Sequence, residues 1–151
     1  MYQRILVPVD GSPTSNAGLA EAIQLARLTG ARLRLVHVVD EMPFAMGAEA
    51  YGAVSADVLT LLREAGEQIL ADGSRRALEA GVAADTAIFD SPGRRVSDYV
   101  LEQARSWPAD LVVMGTHGRR GVGRWLMGSD AEQVARSAPV PVLLVRSATP
   151  A

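Results

Sequence analysis

The sequence predicts an α/β fold, a doubly wound sandwich in which helices flank a five-stranded parallel sheet. Short apolar runs that suit buried strands alternate along the chain with longer segments of helical periodicity, and this order is typical of a parallel sheet covered on both faces. The chain has 151 residues, of which 48% are hydrophobic. That is enough to bury one core, so we expect a single domain over residues 1–151.

Each element follows from a local pattern. Five runs rich in apolar residues favour strands, at residues 4–9, 32–39, 84–89, 110–114 and 140–145. Four segments carry apolar residues at helical spacing and favour helices, at residues 13–29, 57–80, 91–106 and 129–137. Residues 40–56 have no clear period, so we expect a connecting loop.

Capping residues predict where three of these helices begin. Ser12 with Pro13 suits the start of the first helix, and Gly30 suits its end. Ser91 with Pro92 predicts the start of the third helix, and Ser129 with Glu132 predicts a capping box on the last.

The composition excludes several kinds of chemistry. The chain has no cysteine and no lysine, so all 15 basic residues are arginine. This excludes thiol nucleophiles, thiolate metal sites, Schiff bases, a P-loop and the lysine of a phosphoacceptor receiver domain. The net charge of −2, with arginines spread along the chain, argues against nucleic-acid binding. Without a long apolar run or a signal-peptide pattern, we expect no membrane association and a cytoplasmic protein.

A glycine-rich segment, residues 115–129, joins the fourth strand to the last helix. In parallel α/β folds, ligands bind beyond the carboxyl ends of the strands, and glycines there let backbone N–H groups approach phosphate oxygens. Arg119, Arg120 and Arg124 add three cations. The segment therefore predicts an anion site, most simply for a nucleotide phosphate. Glycines that only serve turns would give a similar pattern, and this alternative stays open.

The spacing of Gly115, Gly118 and Gly128-Ser129 resembles the G-2x-G-9x-G(S/T) ATP-binding signature of the universal stress protein family. The resemblance extends over blocks in the same order, at residues 5–12, 35–38, 109–118 and 139–145. It implies an adenine-nucleotide-binding α/β sandwich, usually dimeric, with a role in stress survival. The implied ligand is ATP, with Mg²⁺ as a further candidate.

The resemblance also implies roles for individual residues. Asp10 would accept hydrogen bonds from the ribose or adenine, although Asp10-Gly11-Ser12 is also good turn chemistry. The other implied nucleotide-binding residues are Pro8 and Val9 as an apolar wall, Val38 through its backbone, Met114, Gly115 and Gly118 around the sugar and first phosphates, Arg119 as a cation, Gly128 and Ser129 at the distal phosphates, and Asp130.

Asp130 is the acidic member of this set. A carboxylate in the first turn of a helix is favourable, but it would repel phosphates if it faced them. We expect its side chain to point sideways into solvent; holding Mg²⁺ is the alternative.

Two further expectations concern the histidines and the last strand. His37 lies in an apolar strand and is expected to be a hydrogen-bonded core or rim residue, whereas His117 lies between two signature glycines without an evident catalytic partner. Pro139 and Pro141 suit an edge strand, which predicts a homodimer paired through the C-terminal strand.

We expect a regulatory nucleotide-binding protein with little or slow catalysis. The alternatives are a weak ATPase or phosphotransferase at the same site and a ligand-free dimerisation module.

Overall fold

The computed structural model describes residues 1–41, 56–117 and 127–148. In that part of the chain, strands and helices alternate as the sequence predicts. The strands are β1 (Arg4–Pro8), β2 (Arg32–Val39), β3 (Ala84–Asp90), β4 (Leu111–Gly115) and β5 (Val142–Val145). The helices are α1 (Pro13–Thr29), α2 (Ala56–Glu79), α3 (Val96–Ser106) and α4 (Ser129–Ser137). Most bounds differ from the predicted ones by only one or two residues, which is the usual uncertainty of helix and strand ends.

The five strands form one parallel sheet in the order β3-β2-β1-β4-β5. From β1 the chain moves outward through β2 to β3, and it then returns to the other side of β1 for β4 and β5. The strand order therefore reverses between β1 and β4. This confirms the predicted five-stranded parallel sheet and places β5 at an edge.

Two cores cover the two faces of the sheet. Successive side chains of a strand point to opposite faces, so Ile5 and Val7 lie in one core and Leu6 in the other. The first core contains side chains from α1 and α2, including Leu19 and Leu70. The second contains side chains from α3 and α4. Helices thus cover both faces, as the doubly wound prediction requires.

The caps of α1 are where the sequence predicts them. The Ser12 hydroxyl accepts a hydrogen bond from the Ser15 N–H at 3.2 Å, and Pro13 is the first helical residue. Gly30 ends the helix in the left-handed conformation, with φ of 74°. This start of α1 lies next to the ends of β1 and β4, where Thr14 meets Gly115.

The predicted start of α3 at Ser91 is wrong. Gly93 takes a left-handed conformation, with φ of 73°, which interrupts a helix at that point. The helix begins instead after Arg95, whose N–H donates to Asp98 Oδ2 at 3.1 Å. The start of α3 is therefore defined by the carboxylate of Asp98, the third residue of the helix, and not by Ser91.

The predicted capping box of α4 is also wrong. Gly128 is the N-cap and Ser129 is already helical, so the serine lies one position too late to cap. The Glu132 carboxylate accepts from Arg136 at 2.7 Å, one turn further along the helix. The amides at the start of α4 are consequently not capped by a side chain of α4 itself.

The helices also bear on the expected lack of membrane association. Among the residues that the structure describes, no helix combines the length and the apolar character needed to cross a bilayer.

Candidate functional site

A cavity of about 320 Å³ opens at the carboxyl edge of the sheet, where the strand order reverses between β1 and β4. Parallel α/β sheets bind ligands at this position, and the volume lies within the range of small-molecule sites. Its wall combines the ends of three strands, the first turn of α4 and the middle of α2. The residues that line it are Pro8, Val9, Asp10, Ser15, Val36, His37, Val38, Val39, Asp40, Leu62, Ala65, Gly66, Ile69, Val96, Met114, Gly115, His117, Gly128, Ser129, Asp130 and Ala131.

The structure brings together every predicted site residue that it describes. Gly118 and Arg119, two of the eleven predicted residues, lie outside the described residues, as do the candidate cations Arg120 and Arg124. The other nine all line the one cavity: Pro8, Val9, Asp10, Val38, Met114, Gly115, Gly128, Ser129 and Asp130. Residues from four separate parts of the sequence therefore share one site, and their role toward a ligand stays a prediction.

Asp10 forms the turn that leads from β1 into α1. Its Oδ1 accepts from the Ser12 N–H at 2.8 Å, and its own N–H donates to the Ser15 hydroxyl at 3.0 Å. The residue order predicts this turn, and Asp10 also lines the cavity. A role in the turn and a role as an acceptor for a ligand are both compatible with this position, because one carboxylate has several acceptor positions.

His37 fixes the backbone next to this turn. Its ring is buried, with 7% of the residue exposed, and its Nδ1 lies 2.8 Å from the Val9 carbonyl oxygen. The Val9 N–H donates to the Val36 carbonyl at 2.8 Å. The expectation that His37 is a hydrogen-bonded core or rim residue is confirmed. Its bond to Val9 holds the Pro8–Val9 wall of the cavity against β2.

Val38 presents its backbone beyond the paired part of β1. The pairing of β1 with β2 ends at Pro8 and Val36. In a parallel ladder, alternate residues direct their N–H and C=O groups to the same neighbouring strand. Val38 is two residues after Val36, so its N–H and C=O groups are directed toward the same side as those of Val36, the β1 side. There the chain has already turned into Asp10. Backbone contact between Val38 and the edge of a base requires this arrangement.

Gly115 allows α1 to cross the end of β4 closely. A Cβ on Gly115 would lie 2.6 Å from both the carbonyl carbon and the oxygen of Thr14, and a Cβ on Gly18 would lie 3.1 Å from the Gly115 nitrogen. The sequence predicts Gly115 for ligand contact. The structure adds a packing reason for this glycine, since any side chain would push α1 away from the sheet.

The apolar wall from α2 was missed by sequence reasoning. Leu62, Ala65, Gly66 and Ile69 line the cavity. A Cβ on Gly66 would lie 2.4 Å from His37 Cδ2, so this glycine lets α2 approach the imidazole. In the sequence, Gly66 indicates only a residue that weakens a helix. The available signal for a close approach of α2 to the sheet was its position next to Ala65, one of the apolar residues at helical spacing.

The first turn of α4 supplies amide donors. The Gly128 N–H donates to the Thr116 carbonyl at 2.7 Å, and the first bond within the helix runs from Glu132 to Gly128 at 3.0 Å. In this structure the Gly128 N–H is thus already bonded within the protein, and its role toward a phosphate stays a prediction. A helix leaves its first amides without partners within the helix, and here these belong to Ser129, Asp130 and Ala131.

The Asp130 side chain does not point into solvent, and that expectation is wrong. Its Oδ1 accepts a hydrogen bond from the Ser97 N–H at 2.9 Å. Ser97 is the second residue of α3, so the carboxylate of one helix satisfies an end amide of another. This contact fixes Asp130 in place at the cavity wall.

His117 carries a buried ring nitrogen at the same cavity. Its Nδ1 lies 3.0 Å from the Thr116 hydroxyl, and its carbonyl accepts from the Thr14 hydroxyl. Its Nε2 is buried and has no hydrogen-bond partner in the described part of the chain. A buried polar atom without a partner is costly, and a functional role or a bound water or ion is the usual explanation for one in a folded protein.

The charges of the cavity wall are acidic in the described residues. Asp10, Asp40 and Asp130 line it, and none of its described lining residues is an arginine. Within the same described ranges, no three His, Asp or Glu side chains gather into a group that could hold a metal ion. The candidate cations Arg119, Arg120 and Arg124 lie outside the described residues.

The match to known proteins identifies the family. Residues 1–146 match the model of the universal stress protein family, so the chain belongs to this family. A universal stress protein of Methanocaldococcus jannaschii is 36% identical over 146 residues, which cover 97% of this chain and 83% of the relative. Another from Thermus aquaticus is 33% identical over 146 residues, covering 97% and 100%.

Solved structures share the fold. A hypothetical protein whose biochemical function was assigned from its structure superposes with a TM-score of 0.82 at 23% identity, covering 99% of both chains. A universal stress protein in complex with cAMP has a TM-score of 0.67 at 24% identity and covers 97% of this chain and 98% of its own. An Archaeoglobus fulgidus universal stress protein in complex with dAMP has a TM-score of 0.68 at 22% identity, covering 95% and 98%.

Proposed function

We propose that the cavity binds an adenine nucleotide, with ATP as the ligand, and that binding serves a regulatory role in stress rather than rapid catalysis. The observation that carries this proposal is the gathering of nine separately predicted residues around one cavity at the reversal of strand order. Family membership supports it, because similar structures have been solved with cAMP and dAMP.

The wall of the cavity combines two kinds of chemistry. Pro8, Val9 and the α2 side chains supply apolar surface for a base, and the Val38 backbone supplies hydrogen-bonding groups for its edge. The amides of Ser129 to Ala131 and the Ser129 hydroxyl suit phosphate oxygens. The Asp10 carboxylate on the same wall suits ribose hydroxyls as an acceptor. A ligand with an aromatic base and an anionic tail fits this combination.

Mg²⁺ would enter this site with the nucleotide. The described residues do not form a metal site, because no three acidic or histidine side chains gather in them. The oxygens of the phosphate tail are the ligands that Mg²⁺ prefers. One carboxylate together with phosphate oxygens is enough to hold Mg²⁺, so Asp130 as a ligand of the ion stays the alternative.

A thermal melt tests the proposal. Ligand at a hundredfold excess over its Kd stabilises the folded state by about 2.7 kcal/mol, which raises the Tm of a domain of this size by roughly 5 to 10 °C. We expect this shift with ATP. Ser129→Asp should reduce the shift, since a carboxylate favours the start of α4 but repels the tail, whereas Ser129→Ala should keep most of it. The absence of any shift with ATP, AMP and adenosine at millimolar concentration would overturn the proposal.

Slow hydrolysis at the same site is the alternative function. The observation that favours it is His117, whose Nε2 is buried without a described partner on the cavity wall. A ring nitrogen of this kind can accept a proton from an attacking water. Phosphate release that disappears in His117→Gln, at unchanged ATP affinity, would support hydrolysis; release that persists in the variant would count against it.

We further propose that the chain forms a two-fold dimer through β5. This strand lies at the sheet edge, and Leu143 is 36% exposed there. An open apolar edge invites pairing with another strand. Pairing with the same strand of a second copy would cover both edges at once.

A further inference from the structure

We propose that Asp130 is a specificity-determining residue that lowers affinity for an adenine ligand in proportion to the negative charge of its tail. This inference rests on the proposed nucleotide function and says which ligands the same site prefers. Adenosine would be unaffected by the carboxylate, a monophosphate moderately disfavoured, and a free triphosphate most strongly disfavoured.

The carboxylate is held in place from two sides. Its backbone belongs to the first turn of α4, and its Oδ1 is bonded to the Ser97 N–H of α3 at 2.9 Å. An exposed, mobile aspartate could rotate away from an arriving anion. Asp130 is half-buried, and rotating away would break the bond to α3. Its charge therefore stays at the wall when a ligand enters.

The same turn carries both the carboxylate and the amides that suit the tail. Ser129, Asp130 and Ala131 all line the cavity. A helix with its side chains is about 10 to 12 Å across, so an anion on these amides lies within roughly that distance of the Asp130 carboxylate. At such separations near a protein surface, the repulsion between unit charges is appreciable.

No arginine is among the described residues that line the cavity. The helix amides attract an anion, while the Asp130 carboxylate on the same turn opposes accumulation of further negative charge. This turn therefore distinguishes ligands by how much negative charge they bring.

The test compares Asp130→Asn with wild type by calorimetric titration of adenosine, AMP and ATP in EDTA. Asparagine keeps an oxygen acceptor for the Ser97 N–H and removes only the charge. We expect ATP affinity to rise on the order of tenfold, AMP affinity to rise less, and adenosine affinity to stay unchanged. The gain for ATP should shrink in high salt, because screening weakens repulsion.

Two controls separate charge from folding. Asp72→Asn makes the same charge change at an exposed position on α2 that does not line the cavity, and it should leave all three affinities unchanged. Asp130→Glu and Asp130→Gln provide a second pair that differs only in charge, in case the asparagine variant is poorly folded.

Each outcome decides the inference. A gain graded from adenosine to ATP supports it. An equal change for all three ligands would show that Asp130 acts only on the structure, and weaker ATP binding in Asp130→Asn would show that the carboxylate assists the tail; either result overturns the inference while the proposed function stands. If no adenine ligand binds to wild type, the proposed function itself fails, and the inference fails with it.

Discussion

At the scale of single residues, Gly66 and Gly115 are the two described glycines at which an added Cβ would have the least room. Gly115 faces the backbone of Thr14, whereas Gly66 faces the side chain of His37. A side chain can rotate or shift to relieve crowding, but a helix backbone moves only as part of the whole helix. The two glycines therefore have different tolerances for substitution.

We expect Gly115→Ala to destabilise the fold by about 2 kcal/mol, because its Cβ would lie 2.6 Å from Thr14 backbone atoms and α1 would have to shift. Urea denaturation measures this change in the free energy of unfolding. Glu64→Ala, at an exposed position on α2, should change it by less than about 0.5 kcal/mol. An unchanged stability in Gly115→Ala would mean that α1 does not need this approach.

At the scale of elements, α3 has its first turn secured by two carboxylates from different places in the sequence. Asp98 accepts from the Arg95 N–H at 3.1 Å, and Asp130 of α4 accepts from the Ser97 N–H at 2.9 Å. The first bond is local to α3. The second joins α3 to α4 on one face of the sheet, so it also affects the position of the cavity wall.

We expect Asp98→Ala and Asp130→Ala each to cost about 1 kcal/mol of stability, since each leaves an end amide of α3 without its acceptor. Denaturant titration gives both values. Asp72→Ala is the matched control, because the hydrogen bond that this exposed aspartate makes within the described part of the chain comes from Gln68, one turn away on the same helix. Equal stability of Asp130→Ala and wild type would show that the bond between α3 and α4 contributes nothing measurable.

These elements also show how far sequence reasoning reaches. The alternation of strands and helices was predictable because each element leaves a local periodic pattern, and the start and end of α1 follow from Ser12, Pro13 and Gly30. The start of α3 was not predictable in this way, since the left-handed turn at Gly93 and the cap from Asp98 outweigh the helix-starting preference of Ser91.

The candidate site was predictable where it depends on strand ends and not where it depends on the packing of helices. Residues at the ends of strands could be placed together, because parallel strands end at the same edge of a sheet. The contact of Asp130 with Ser97 spans 33 positions and depends on how two helices pack, which no local pattern records. The α2 wall was missed for the same reason, since which face of a long helix covers a cavity depends on its packing.

At the scale of the whole molecule, the two sheet edges differ in their surroundings. β3 packs against β2 over seven residues and contributes to both cores through Ile88 and Phe89. β5 is only four residues long and leaves Leu143 exposed at the opposite edge. This asymmetry is why we place the proposed dimer contact at β5.

We expect wild type to elute as a dimer and Leu143→Asp to elute as a monomer, because a buried carboxylate would oppose the pairing of two β5 strands. Light scattering coupled to size exclusion measures the mass. Leu78→Asp is the control, since Leu78 is 75% exposed on α2, and it should leave the mass unchanged. A monomeric wild type, or a dimeric Leu143→Asp, would contradict the proposed contact.

The crossing of α1 over β4 bears on how this protein could acquire a new ligand. At Gly18 and Gly115 the floor next to the cavity consists of main-chain atoms that approach within 3.1 Å of a Cβ position. A substitution changes a side chain but cannot remove main-chain atoms, so it cannot enlarge the cavity at this crossing. Selection for a bulkier ligand, in nature or in a directed-evolution library, should therefore accumulate changes at replaceable side chains such as Leu62 and Ile69 on α2, and leave the α1–β4 crossing untouched.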